Sequence, residues 1–302
     1  MPLRITPGMM HMQLTRNLNR TLTEMSKLQE QMTTGRKINR ASDDPVGITY
    51  ALRYRSELSA NEQYQKNVDM ALSWLDFNDT VLQQAQDVLK RLKELAVQGS
   101  NGTNPDVALN NIADEVIQLK EQIVDIANST LNGKYVFNGE KTDVIPYDPT
   151  VTPFDPSTIE TDSGAIYYMV GVGVKLQINL SGSDVFGRPG EADNIFTVFD
   201  QIITSLRNGD HAGVTAQIGN IESRIDKILN QQAEIGARVN RVELMQNRLK
   251  DLEINLTDLQ SKTEDVDFEK LIIDAKINEN IYQASLSVGA KIITPSLVDF
   301  LN

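Results

Sequence analysis

Apolar residues recur in steps of three and four at both ends of this 302-residue chain and alternate strictly near its middle. Leu14, Leu18, Thr21, Met25, Leu28 and Met32 share one seam of a helix expected over about 13–33. Ile277, Ile281, Ala284 and Val288 form a second seam near the other end, and apolar Phe300 and Leu301 follow it. A 3-4 step places its members on one narrow stripe, the pattern of a helix that packs on another helix. The remainder of each terminal segment is polar, so neither stripe can close a core by itself. Both ends need helical partners, and all these residues except Thr21 are the candidate assembly interface.

Between the ends the pattern predicts further elements. Residues 1–13 hold Pro2, Pro7 and Gly8 without periodicity, so an unstructured lead is expected. Asp44 with Pro45 reads as a helix start, the carboxylate capping and the proline occupying the first turn. The helix that follows, to about Gln98, carries Val68, Leu72, Leu75, Leu82, Leu89, Leu92 and Ala96 on its seam. A third helix repeats through Leu109, Ile112, Val116, Leu119, Ile123, Ile126 and Thr130 and is expected to stop at Asn132-Gly133. Pro146, Pro149, Pro153 and Pro156 then exclude a helix.

Ile166, Tyr168, Val170, Val172, Val174, Leu176, Ile178 and Leu180 occupy every even position, which predicts a half-buried strand or hairpin in a β-rich insertion over about 135–190. A short helix with Ile195, Val198, Ile202 and Leu206 starts at Asp193-Asn194 and stops at Asn208-Gly209. From His211 the chain runs proline-free to Thr294, with Ile221, Ile225, Ile228, Ile235, Val239, Val242 and Leu249 on one stripe that Gln232 and Gln246 interrupt. A helix over 211–261 would be about 75 Å long. The expected fold is mainly α with a small β insertion: an elongated antiparallel bundle or rod of long helices, a β-rich outer domain and terminal coiled-coil helices.

Charge narrows the partners. The net charge of −12 argues against nucleic acid as the main one. Residues 1–42 carry seven Lys/Arg against two Glu, whereas residues 263–302 carry three Lys against seven Asp/Glu, so the two ends attract each other. No apolar run approaches the ~18 residues of a membrane span, and no basic start leads into an apolar core as in a cleaved secretory signal. With no cysteine there is neither a disulfide nor a thiolate metal site.

Candidate chemistry is thin. The histidines, His11 and His211, lie far apart in sequence. Met9, Met10, His11 and Met12 could hold a soft metal, but methionines packing on partner helices are the simpler reading. Asp43 and Asp44 read as helix-start residues, and Gly171-Val172-Gly173 as part of a strand. No catalytic residue, metal or cofactor is expected, and the chain is not expected to be an enzyme.

The segment from Thr33 to Gly47, TTGRKINRASDDPVG, resembles the N-terminal signature of the bacterial flagellin superfamily. Leu89–Thr103 resembles its core helix and following turn, and Asn132–Gly139 and Gly236–Arg241 fit in the same order. Asn132–Gly139 with the short β insertion, and the ending from Ser296 to Leu301, resemble the hook–filament junction branch. The resemblance implies a terminal assembly domain of residues 1–42 and 263–302, disordered in the monomer and a coiled coil in the assembly. It implies a rod domain of 43–135 and 190–262, and an outer domain of 136–189. Implied partners are neighbouring copies, the first hook-associated protein, flagellin, and a cytoplasmic export chaperone on the C-terminal helix. The implied location is the extracellular flagellum, reached by type III export without a cleaved signal peptide. The nearest alternative is a self-polymerising filament flagellin; a different class is a cytoplasmic coiled-coil scaffold or a type III needle-tip protein.

Overall fold

The structure, a computed structural model, describes residues 7–152 and 154–293. The chain forms two compact units, residues 61–251 and residues 1–60 with 252–302.

The first of these is organised by two long helices, α2 (Pro45–Gly99) and α6 (His211–Glu264), which pass from one unit into the other. At 54 residues α6 is about 80 Å long. The two run antiparallel. Asn61 donates to the Leu249 carbonyl at 3.0 Å, and at the other end Gln86 donates to Gln232 at 2.7 Å. The polar breaks in the α6 stripe are therefore partnered across the pair: Gln232 also donates to Asp79 (2.8 Å) and Gln246 to Asp69 (2.9 Å). Val68, Leu75, Leu82, Leu89 and Leu92 of α2 and Ile221, Ile228, Ile235 and Val242 of α6 are buried in one core. Each such side chain stabilises the fold by about 1.5–3 kcal/mol relative to exposure. Helix α3 (Asp106–Ala127) adds Leu109, Ile112 and Val116 to that core and packs on α5 (Ile195–Arg207), which Asn194 caps through the amides of Phe196 and Thr197.

Helix α3 ends at Ala127, short of the expected stop. Asn132 and Gly133 instead form the two-residue turn between β1 (Thr130–Leu131) and β2 (Lys134–Tyr135), with φ of 52° and 77°. Asn-Gly favours such left-handed turns as strongly as helix stops, and here the turn wins. Just before it, Asn128 donates to the Tyr147 carbonyl (2.7 Å) and accepts from its amide (3.0 Å), anchoring the following loop to the end of α3.

The alternating segment is a hairpin, β3 (Tyr167–Gly171) against β4 (Val174–Gln177). Val170, Leu176, Ile178 and Leu180 are buried as the alternation predicts, but Val172 sits in the turn and is 86 % exposed. Phe137, Tyr147, Phe186 and Phe196 form an aromatic cluster, Phe137 meeting Phe186 edge-on at 5.3 Å. A buried guanidinium fastens the link between the short helix α4 (Gly182–Phe186) and α5. Arg224 of α6 donates to the Asp193 carbonyl (2.8 Å), the Asp193 carboxylate (2.9 Å) and Glu191 (2.9 Å).

Candidate assembly surface

The other unit is built differently. It holds α1 (Pro7–Thr34), the start of α2, the end of α6 and α7 (Phe268–Ile293). Helix α1 begins at Pro7, earlier than the expected lead allows; proline suits the first turn of a helix, where its missing N–H costs nothing.

Helices α1 and α7 pack on each other antiparallel. Near one end, a Cβ placed on Gly289 would come within 2.6 Å of Leu14; near the other, a Cβ on Gly35 would meet the Phe268 ring at 3.7 Å. This register sets Leu18 opposite Ser285, Thr21 opposite Tyr282, Met25 opposite Asn278 and Leu28 opposite Ala275. The α1 seam of Leu14, Leu18, Thr21, Met25 and Leu28 is accordingly half-buried, while Met32 remains exposed. On α7 the face turned to α1 is mostly small or polar: Ala275, Asn278, Tyr282 and Ser285 are half-buried and Gly289 is buried.

The apolar seam of α7 points elsewhere. Ile277, Ile281 and Val288 are 50 %, 47 % and 54 % exposed, and Ala284 is exposed with them. At 100° per residue this stripe lies about 110° around α7 from the face that meets α1. The two terminal seams are therefore not partners of each other. That of α1 is used within the chain; that of α7 is free. Phe300 and Leu301 lie outside the described residues.

The imbalance extends over the whole unit. Among its described residues, 18 large hydrophobic side chains are exposed, and only Ile38, Ala51, Leu256 and Leu271 are buried hydrophobics. A self-contained domain inverts that ratio, and an exposed apolar stripe such as Ile277, Ile281 and Val288 of α7 is surface of the kind that marks association. Met9, Met10 and Met12 belong to the exposed set, on the first turns of α1. Among the described residues, no group of three or more His, Cys, Asp or Glu side chains is placed to hold a metal ion. His211 sits at the start of α6 with Nδ1 2.9 Å from the Gly99 carbonyl.

Ion pairs join α1, the link that follows it, the start of α2 and the end of α6. Glu264, 1 % exposed, is gripped by Arg55 and approached by Arg36 at 3.6 Å; Lys27 pairs with Asp43 at 3.2 Å and Arg40 with Glu30 at 3.0 Å. The hydrogen bonds that Arg55 donates to the Glu264 carboxylate raise the Arg55 pKa above its ordinary value. Asp43 is held below the usual carboxylate range, chiefly by the Arg40 amide with help from Lys27. Sequence reading missed both Glu264 and the inner face of α7. For the latter a signal existed: Ala275, Asn278, Tyr282, Ser285 and Gly289 step by three and four just as the apolar seam does.

These features have known counterparts. The signature of the bacterial flagellin N-terminal helical region matches residues 5–142, and that of the bacterial flagellin C-terminal helical region matches residues 218–301. The chain belongs to the bacterial flagellin family. Within it, the chain is 25 % identical to flagellar hook-associated protein 3 of Escherichia coli over 300 residues, covering 94 % of this chain and 95 % of that one. It is 28 % identical to the flagellin of Bacillus subtilis over 306 residues, covering 96 % of each. Among solved structures it shares its fold with a Vibrio parahaemolyticus chain described as a flagellar hook-associated protein, with a TM-score of 0.67 at 23 % identity, covering 74 % of this chain and all of that one. Flagellin relatives thus align with both units, including the one rich in exposed apolar side chains.

Proposed function

We propose that this chain is a structural adaptor of the bacterial flagellum, forming the junction between the hook and the flagellin filament, with no catalytic role. One observation carries the reading: the unit holding both chain ends exposes 18 large hydrophobic side chains and buries four hydrophobics among its described residues. Such a unit completes its core only among neighbours, so its final folding is coupled to assembly. Residues 1–42 and 263–302 are the assembly domain, disordered in the free monomer and a coiled coil once incorporated; 43–135 with 190–262 are the rod, and 136–189 the outer domain. Leu14, Leu18, Met25 and Leu28 hold α1 to α7, while Ile277, Ile281, Ala284 and Val288, with Met32, Phe300 and Leu301, meet neighbouring subunits. Those neighbours are further copies, the first hook-associated protein and flagellin. The protein works outside the cell after type III export without a cleaved signal, and a chaperone covers the C-terminal helix beforehand.

The alignment with hook-associated protein 3 over 94 % of the chain supports the junction role. Deleting the gene tests it: cells should bear hooks without filaments and release flagellin monomer into the medium. Filaments of normal length on the deletion strain would overturn the proposal. The 28 % identity to a filament protein favours a second reading, self-polymerisation. Purified protein added to filament seeds separates the two, since a junction protein stops after capping the seed and a filament subunit elongates it steadily.

A further inference from the structure

We infer that the bend linking the terminal helices to the long ones is a folded latch built on Glu264, and that this latch sets the register in which α1 and α7 pair. The inference rests on reading the terminal helices as the assembly domain, and it puts the edge of the ordered monomer inside that domain.

Glu264 is the last residue of α6, and its carboxylate is 1 % exposed. Arg55 of α2 holds it with a two-pronged grip, Nε at 2.8 Å from Oε1 and Nη2 on Oε2, and Arg36 approaches from the link after α1. The backbone on either side is zipped. Lys37 donates its amide to the Glu264 carbonyl at 2.6 Å, and Val266 donates to the Gly35 carbonyl at 3.2 Å, so Arg36 and Asp265 face each other as a single antiparallel bridge. Gly35 makes the turn possible with φ of 69°, and Gln31 donates to the Lys37 carbonyl at 2.8 Å. Asp43 accepts the amides of Asn39 and Arg40, closing the loop that leads into α2.

Burial points to the same place. The unit's four buried hydrophobics all lie close in sequence to the latch residues: Ile38 next to Lys37, Ala51 one turn before Arg55, Leu256 about two turns before Glu264 and Leu271 five residues after Val266. No other hydrophobic side chain among the unit's described residues is buried. Beyond it, α1 and α7 touch along one half-buried stripe, which by itself tolerates a slip of one turn. A fixed end removes that freedom, and buried hydrogen-bonded charges are well suited to fixing register because no shifted arrangement satisfies them. The latch therefore forms before the helices pair, and the α1–α7 zipper runs outward from it.

Hydrogen exchange on the purified full-length monomer tests this. Expected are slow exchange at the Lys37 and Val266 amides and fast exchange along the bodies of α1 and α7. In Glu264→Gln the two latch amides should lose about a hundredfold in protection, the scale of a lost charged hydrogen bond. Arg55→Lys, which keeps the charge but loses the fork, should lose part of it. Emission of Trp74, the sole tryptophan, reports in each variant that the other unit remains folded. Unprotected latch amides in the wild type, or protection unchanged in both variants, would overturn the latch. Slow exchange along all of α1 and α7 would instead overturn the disordered assembly domain and leave the latch to be judged by the variants. Register is read separately, because the chain has no cysteine of its own. In assembled protein, Leu14→Cys with Gly289→Cys should cross-link and the slipped pair Leu18→Cys with Gly289→Cys should not. Adding Glu264→Gln should let the slipped pair form; cross-linking confined to 14 and 289 in that background would mean the latch does not set register.

Discussion

Leu14 of α1 rests against the bare backbone of Gly289 on α7, so close that a Cβ there would stand 2.6 Å from the leucine Cδ2. Glycine in mid-helix costs about 1 kcal/mol relative to alanine, and close approach of α1 is what it permits. Gly289→Ala is expected to be nearly neutral, because the leucine tip can turn aside while the helix gains propensity. Gly289→Leu cannot be accommodated so and should weaken the pair by about 1–3 kcal/mol, as overpacking does. Incorporation into flagella, scored by immunolabelling of the junction, should be retained by the first variant and sharply reduced in the second. Equal incorporation of both would show that the contact does not matter.

The long helices were legible because burial there is one-sided and continuous: Val68 to Ala96 and Ile221 to Leu249 name their own inner faces. Two things were not. Asn132-Gly133 carries the same local preference for a helix stop and for a hairpin turn, and only the pairing of Thr130 with Tyr135 decides between them. Which face of each terminal helix meets the other was not legible either, since an apolar heptad announces a contact without naming its partner. On α7 the contact inside the chain uses the small face of Ala275, Ser285 and Gly289, and the heptad stays outside. Glu264 escaped notice because its role depends on Arg55, 209 positions away.

The exposed α7 seam yields the sharpest separation of folding from assembly. Ile277→Asp and Ile281→Asp replace side chains that are about half exposed in the structure of the single chain. Their effect on monomer stability should stay within about 0.5 kcal/mol. In an interface the same carboxylates would be buried without partners, and incorporation should fail. Thermal melts of the purified variants, paired with motility in soft agar, measure the two effects. Motile cells carrying either variant would remove this seam from the assembly surface.

Tyr147 is a buried phenol whose hydroxyl has no hydrogen-bond partner, in contact with Phe186 and Phe196. Desolvation pushes its pKa well above that of a free tyrosine, against a smaller opposing pull from the Arg224 charge. Removing an unsatisfied buried hydroxyl without changing shape relieves a penalty of about 1–3 kcal/mol. Tyr147→Phe should therefore be neutral or stabilising in urea unfolding, whereas Tyr147→Ala should lose about 3–5 kcal/mol through the cavity left behind. Marked destabilisation by the phenylalanine would mean that the hydroxyl has a partner after all.

Asp193 supplies a pH dependence whose sign is fixed by its neighbours. Burial by itself raises its pKa, but a hydrogen bond from Lys227 and the charge of Arg224 outweigh that and hold it below the ordinary 3.8. A carboxylate lowered in the folded state stabilises the fold above its unfolded pKa, and that contribution fades as pH falls through the folded value. Glu191 is displaced the same way from 4.5, burial again being outweighed, here by Arg224 and Lys227. The unit containing Trp74 should therefore be stable at neutral pH and lose stability below about pH 4. Arg224→Ala leaves Asp193 mostly buried with Lys227 as its remaining cation, and should cost about 3–5 kcal/mol at pH 7. With the guanidinium gone the folded-state Asp193 pKa moves up toward its unfolded value, so the acid-induced loss that Asp193 contributes shrinks and the variant's stability falls less steeply with pH than that of the wild type. Urea titrations followed by Trp74 emission from pH 7 down to pH 3 measure both. If the variant unfolds within about 1 kcal/mol of the wild type and with the same pH slope, the buried guanidinium is not what fastens the link between α4 and α5 to α6.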